Sequence, residues 1–266
     1  MTSSAAIQKH DVGGQLPVLL EIAFMVCVLL CFVRVASYVV GRMQRGRLLI
    51  NGNQPMDFTM HPLTGWLFVG GVMAFVFWQS VCYVFLVFMG IAGLLVENGR
   101  TADEQFGFQR LPLAQVLKWS LLVCGAFIFI ETPISQVWLW GMDSLHIPHP
   151  DQQSVEAFRS YRKPLEIIAF MVQAVILFPM VEELFFRGFL LTFIKKYTTT
   201  WLALILSAGV FAFAHANLGA VLPLWILGVI LGVAYQHTGS LLLPMAIHSC
   251  WNLFTAVSLL YEKGSG

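Results

Sequence analysis

Two carboxylates and a guanidinium stand inside a long apolar run of this chain. Glu182, Glu183 and Arg187 interrupt the run 165–194, whose other residues are nearly all apolar. Placing one charged side chain at the centre of a bilayer costs on the order of 2.5–3.5 kcal/mol on insertion scales. Three such groups in one helix therefore need a compensating role, and we predict acid–base chemistry at a buried site.

Helical spacing divides these groups into a pair and a single carboxylate. At about 100° per residue, Glu183 and Arg187 share one helix face and can form an i,i+4 ion pair. Glu182 points about 100° away from Glu183. The spacing predicts that Glu183 and Arg187 neutralise each other, whereas Glu182 stays available as a base. Pro179, just upstream, is expected to bend the helix and to free a backbone carbonyl near the site.

Two histidines and an asparagine interrupt the later apolar runs. His215 follows Phe211 by four residues, and Asn252 follows His248 by four residues. Each polar side chain could instead serve packing, as a hydrogen-bonded histidine or as an amide that links two helices. If the last four runs alternate in direction, the rise of a helix places Glu182 and these three groups within about 10 Å of one another in depth. The common depth favours one shared site.

The composition predicts a membrane protein. Hydrophobic residues make up 58% of the chain and charged residues 11%, whereas soluble domains have roughly 25% charged residues. The net charge of +1 offers no basis for binding nucleic acid. The sequence predicts an all-α fold, a polytopic transmembrane bundle of about seven to eight spans with a polar intramembrane active site. Apolar runs that can cross the membrane occur at 16–40, 64–96, 113–140, 165–194, 200–217, 220–236 and 240–261.

The connections divide the chain into two parts of one membrane domain. Polar loops separate the early runs, whereas the connections after Thr198 shrink to a few residues, such as Leu218–Gly219 and His237–Gly239. We expect residues 1–160 to form N-terminal transmembrane helices and polar loops, and residues 161–261 to form a compact catalytic core. The five cysteines lie in apolar runs without a CxxC pair, so we expect them to be small packing residues.

The polar clusters together resemble a known family. Glu182-Glu183-x-x-x-Arg187, Phe211-x-x-x-His215 and His248-x-x-x-Asn252, in this order, resemble the motifs of the CAAX protease and bacteriocin-processing family of intramembrane glutamate proteases. The segment Gly239–His248 is also similar to the last motif of that family. The resemblance covers about residues 164–260 and implies kinship with the Ras-converting CAAX endopeptidase, which trims three residues from prenylated proteins.

The resemblance implies a role for each motif residue in peptide hydrolysis. Glu182 is the general base that acts on a water, and His215 helps to hold and deprotonate that water. His248 and Asn252 supply hydrogen-bond donors to the oxyanion of the tetrahedral intermediate. The ion pair beside the general base supports the site. No metal and no cofactor are required in this mechanism.

Three alternatives stay open at the level of sequence. His215, His248 and Glu182 could be three ligands of a catalytic zinc with one open position, although no His-Glu-x-x-His motif is present. The same groups could form a proton or ion relay in a transporter. A non-catalytic scaffold or immunity protein is a third interpretation. The intact His-x-x-x-Asn pair favours hydrolysis over transport, because a proton relay needs no amide donor at that position.

The partners and location follow from the same observations. We expect the substrate to be a membrane-embedded or lipidated peptide or protein, held within the lipid bilayer, and we expect no nucleic acid partner. The protein is expected to be a multi-pass integral membrane protein, located in the plasma (inner) membrane if the host is bacterial.

Overall fold

The described part of the protein consists of helices joined by mostly short connections. The computed structural model describes residues 82–99 and 101–265, so the predicted run 16–40 and most of the run 64–96 lie outside the described residues. Within those two ranges there is no β-strand, and the predicted all-α class is confirmed. The helices are α1 Cys82–Asn98, α2 Ala102–Phe106, α3 Leu113–Ser144, α4 Gln153–Ser160, α5 Pro164–Tyr197, α6 Thr200–Ala214, α7 Leu218–Thr238 and α8 Leu242–Ser265.

Four of these helices are long and apolar enough to cross a bilayer. They are α3, α5, α7 and α8, and they coincide with four of the predicted runs. The protein is therefore an integral membrane protein. Helix α6 is equally apolar but has only 15 residues. Its length of about 22 Å is shorter than the roughly 30 Å hydrocarbon core of a bilayer, so α6 alone is too short to cross it.

The end of α6 differs from the sequence expectation. The run 200–217 was expected to be one span with its connection at Leu218–Gly219, but α6 ends at Ala214 and α7 already begins at Leu218. Ala216 has a left-handed backbone, with φ of 48°, which stops the helix. The side chain of Asn217 then accepts a hydrogen bond from the Ala220 N–H at 2.9 Å and caps the start of α7. His215 consequently lies in a three-residue connection.

Helix α5 is not a regular α-helix. It contains two π-helical segments, Gln173–Leu177 and Leu184–Leu191, on either side of the α-helical turn Phe178–Glu183. The turn includes Pro179, which has no N–H to donate, and π-helical segments often occur at functional sites. The helix was expected to bend at Pro179, and the structure has a change from α-helical to π-helical hydrogen bonding on either side of this turn.

Close packing of α6 against α7 depends on a glycine. A side chain at Gly228 of α7 would meet the Cβ of Ala208 in α6 at 2.9 Å, so only glycine allows the two backbones to approach this closely. On the other side of the bundle α8 packs along α3, where the rings of Phe127 and Trp251 meet edge to face at 4.8 Å. Helix α8 also packs against the π-helical segment Gln173–Leu177 of α5. These contacts bring α5, α6, α7 and α8 around one point.

Candidate active site

The predicted ion pair is present and buried. The Arg187 Nη1 donates to the Glu183 Oε1 at 2.5 Å, and both side chains are almost fully buried. The Arg187 Nη2 donates to the backbone carbonyl of Gly228 at 3.0 Å, so the close approach of α7 provides a second partner for the guanidinium. We call Glu183, Arg187 and Gly228 the ion-pair cluster. Buried charges need this level of hydrogen bonding to be tolerated.

His248 joins the ion-pair cluster to the other glutamate. Its Nδ1 lies 2.9 Å from the Glu183 Oε1. Because a carboxylate accepts hydrogen bonds, Nδ1 carries the proton of this bond. The other ring nitrogen, Nε2, lies 3.8 Å from the Glu182 Oε2. His248 thus connects α8 to both carboxylates of α5 and presents Nε2 to Glu182.

His215 approaches the same carboxylate oxygen from the end of α6. Its Nδ1 donates to the backbone carbonyl of Phe211 at 2.8 Å, which leaves Nε2 directed at Glu182. The distance from the His215 Nε2 to the Glu182 Oε2 is 4.0 Å. The hydrogen bond to Phe211 is possible because α6 ends one residue before His215. The short helix therefore sets both the position and the tautomer of this ring.

The Oε2 of Glu182 is consequently faced by two imidazole nitrogens. Both distances exceed the length of a direct hydrogen bond, and a water between these atoms could bond to more than one of them. We call Glu182, His215 and the Nε2 edge of His248 the Glu182 face. The structure brings together these three of the four predicted catalytic residues. Their roles in chemistry stay predictions.

Asn252 has a different immediate partner. Its Nδ2 donates to the backbone carbonyl of Ala174 in α5 at 2.8 Å. Asn252 lies one helical turn beyond His248 on α8, so it is on the same helix face. One of its two N–H groups therefore forms a bond between two helices, which is the packing role that the sequence allowed for this amide. The predicted role of Asn252 as an oxyanion donor stays a prediction.

One aromatic ring contacts three polar side chains of the site. The Arg187 guanidinium carbon lies 4.5 Å from the centroid of the Phe211 ring. The same ring meets the His215 ring at 4.8 Å and the His248 ring at 5.6 Å, both edge to face. Phe211 is fully buried. It therefore packs against both imidazoles and the guanidinium, and it is the phenylalanine of the Phe211-x-x-x-His215 motif.

A second set of contacts, which sequence reasoning missed, anchors the connection that carries His215. The Asn217 Nδ2 donates to the Pro150 carbonyl at 2.9 Å, and the Trp138 Nε1 donates to the Leu218 carbonyl at 2.9 Å. These bonds attach the connection to α3 and to the loop that follows it. Asparagine just before an apolar run is a typical helix-capping signal, so Asn217 could have been found from sequence.

The placement of the acidic, histidine and cysteine side chains bears on metal binding. Across residues 82–99 and 101–265, no group of three or more histidine, cysteine or acidic side chains is placed so that it could hold a metal ion. The three zinc ligands considered from sequence do face one another, at 3.8 and 4.0 Å between nitrogen and oxygen.

Comparison with known proteins supports the resemblance seen in the motifs. Residues 164–254 match the family described as "Type II CAAX prenyl endopeptidase Rce1-like", and this range contains all four predicted catalytic residues. The chain is also similar to an "Uncharacterized 24.3 kDa protein" of Escherichia coli, with 35% identity over an alignment of 88 residues that covers 31% of this chain. The match spans 41% of the length of that relative. No solved structure shows a significant match. Residues 164–254 are therefore similar to the Rce1-like CAAX protease family, which agrees with the resemblance that the motifs indicated.

Proposed function

We propose that this protein is an intramembrane endopeptidase in which Glu182 activates a water. The observation that carries the proposal is the different use of two adjacent glutamates. Glu183 is bonded by Arg187 and His248, whereas the Oε2 of Glu182 is faced by two imidazole nitrogens at distances that suit a bridging water. A general base needs a reachable proton and a carboxylate that is not already neutralised.

The hydrolytic step uses these groups in order. Glu182 accepts a proton from the water as the water oxygen bonds to the carbonyl carbon of the scissile peptide. The His215 Nε2 accepts a hydrogen bond from the second O–H of this water and orients it. The intermediate then collapses, the C–N bond breaks, and the proton held by Glu182 passes to the leaving amine. Glu182 returns to its carboxylate form, so protons balance over the cycle.

The oxyanion of the intermediate is stabilised from α8. His248 donates through Nε2, which requires a proton on both ring nitrogens because Nδ1 already donates to Glu183. In this proposal the imidazolium, like Arg187, is paired with the carboxylate of Glu183, so that the carboxylate of Glu182 is left to accept the proton of the water. The second N–H of Asn252 is the other donor, and donors fixed in advance are what such a site needs.

The substrate class and the location are parts of the same proposal. Glu182 lies within a membrane-spanning helix, so the peptide bond that it reaches must enter the bilayer. We propose that the substrates are membrane-embedded or lipidated peptides and proteins. In a bacterial host the enzyme would act in the plasma membrane.

The proposal is tested by comparing peptide termini in membranes of cells that carry the wild-type protein or Glu182→Gln. Termini that depend on the enzyme should disappear in Glu182→Gln. They should persist in Glu166→Gln, a matched change at the start of the same helix, where the carboxylate lies beside Lys163 at the N-terminus of α5. Identical termini in the wild type and Glu182→Gln, at equal protein levels, would contradict proteolysis by this residue.

A further inference from the structure

A gap in the hydrogen bonding of α5 lies next to the site. The π-helical segment Gln173–Leu177 ends in a wide turn, in which the Phe178 N–H bonds to the Gln173 carbonyl, five residues before it. In the same register the carbonyl of Ala174 would receive the N–H of residue 179. That residue is a buried proline, which has no N–H to donate.

The open carbonyl is filled from another helix. The Asn252 Nδ2 of α8 donates to the Ala174 carbonyl at 2.8 Å. A carbonyl oxygen can only accept, so this bond fixes which end of the amide faces α5. The bond also fixes the direction of the second N–H of Asn252.

We propose that Pro179 is a positioning residue for Asn252. By leaving the Ala174 carbonyl without a backbone donor, Pro179 provides the acceptor that holds the amide in one orientation, one turn beyond His248. The inference rests on the proposed function, in which Asn252 supplies an oxyanion donor. It adds a residue that does not touch the substrate and that acts through a backbone carbonyl.

Replacing the proline supplies the missing N–H. In Pro179→Ala the new N–H competes with Asn252 for the Ala174 carbonyl, and the amide loses its fixed orientation. We expect kcat to fall by about 10-fold or more, short of the 10²–10³-fold expected when an oxyanion donor is removed outright. KM should stay within about twofold, because the amide meets charge only in the transition state. A purely structural proline would not separate kcat from KM in this way.

A double-mutant cycle on thermal stability tests the hydrogen bond without any need for a substrate. Asn252→Ala alone leaves the Ala174 carbonyl unsatisfied in an apolar interior and should lower Tm. In the Pro179→Ala background the same change should lower Tm by less than half as much, because the new backbone N–H replaces the amide as donor to the Ala174 carbonyl. Coupling of this kind is typical of groups that share a partner.

The matched control is Pro133→Ala, a change of a proline inside α3. In that background Asn252→Ala should lower Tm by its full amount. If Pro179→Ala yields too little protein, Pro179→Ser restores the same N–H.

The outcomes separate this inference from the proposed function. Additive effects of the two changes on Tm would overturn the role of Pro179. Coupled effects with an unchanged kcat in Pro179→Ala would overturn its role in catalysis. Glu182→Gln, assayed in parallel, tests the glutamate mechanism alone. Full activity of that variant would contradict the mechanism. The double-mutant cycle on Tm would still decide whether Pro179 controls the hydrogen bonding of the Ala174 carbonyl.

Discussion

The ion-pair cluster and the Glu182 face are adjacent on α5 but differ in how their carboxylates are hydrogen-bonded. In the ion-pair cluster one carboxylate oxygen accepts hydrogen bonds from both Arg187 and His248, and α7 supplies a backbone carbonyl to the guanidinium. On the Glu182 face the nearest nitrogens stand 3.8 and 4.0 Å away. The difference is one of distance, because the Oε1 of Glu183 is bonded directly whereas neither imidazole nitrogen reaches the Oε2 of Glu182 within hydrogen-bond length. It is the basis of the separate roles that we propose for two consecutive glutamates.

His248 is the residue that the two regions share. Its Nδ1 belongs to the ion-pair cluster and its Nε2 to the Glu182 face, so the charge of one region orients a donor in the other. A change in the ion-pair cluster is therefore expected to weaken folding first and catalysis as a consequence. A change on the Glu182 face is expected to affect catalysis alone.

The largest effect is expected from breaking the ion-pair cluster. Arg187→Ala leaves Glu183 buried without its cation, and removal of one partner of a buried pair typically costs about 3–5 kcal/mol of stability. Denaturant or thermal unfolding in detergent measures the loss, with Lys118→Ala on the exposed side of α3 as the control. The double variant Glu183→Gln with Arg187→Leu removes both charges and should recover part of the loss. An Arg187→Ala protein as stable as the wild type would show that the two regions do not differ as described.

Asn252 should have the next largest effect, and mainly on rate. Loss of one oxyanion donor typically reduces kcat by about 10²–10³, or roughly 2.7–4 kcal/mol. Asn252→Ala should show this loss with little change in KM, and Asn252→Asp should be at least as damaging, because a carboxylate repels both the developing oxyanion and the Ala174 carbonyl. Steady-state kinetics in nanodiscs on a confirmed membrane peptide provide the measurement. Near wild-type rates in both variants would reduce Asn252 to a packing residue.

The connection that carries His215 should respond more weakly. Asn217→Ala removes the cap of α7 and should cost about 0.5–2 kcal/mol of stability. Asn217→Asp keeps the acceptor for the Ala220 N–H but loses the donor to the Pro150 carbonyl, so it separates capping from anchoring. If anchoring positions His215, kcat should fall in both variants. A normal rate in Asn217→Asp would restrict the role of Asn217 to helix capping.

Metal removal is expected to have no effect. Prolonged treatment with a strong chelator would strip a three-ligand zinc site and abolish activity until zinc is returned. A water activated by Glu182 needs no such rescue. Elemental analysis of the purified, active protein gives an independent check. About one zinc per chain, together with recovery that depends on zinc, would replace the glutamate mechanism by the zinc alternative.

Much of the site is local in sequence, and that part could be predicted. The pairing of Glu183 with Arg187 follows from the helix repeat alone, and so does the separate direction of Glu182. The carbonyl freed by Pro179 was also expected from the chemistry of proline. The partner of that carbonyl, Asn252, lies 78 residues away, and no local pattern specifies which backbone oxygen an amide on another helix will meet.

The end of α6 shows a different limit. His215 is a single polar residue between Ala214 and Ala216, so hydrophobicity predicted one run that extends to residue 217. The left-handed Ala216 is followed by Asn217 and Leu218, which are hydrogen-bonded to α3 and its loop. Tertiary contacts therefore decide where this helix stops. The predicted organisation of residues 1–81 falls outside the described residues.

The most direct measurement compares Glu182→Gln and Glu183→Gln in one assay of cleavage and one of melting temperature. General-base catalysis typically contributes about 10²–10⁴-fold to a rate. Glu182→Gln should therefore lose at least that factor in kcat while its Tm stays close to that of the wild type. Glu183→Gln should lose Tm clearly, because Arg187 and His248 lose their shared anion. An active Glu182→Gln together with a stable but inactive Glu183→Gln would reverse the two assignments and contradict the mechanism.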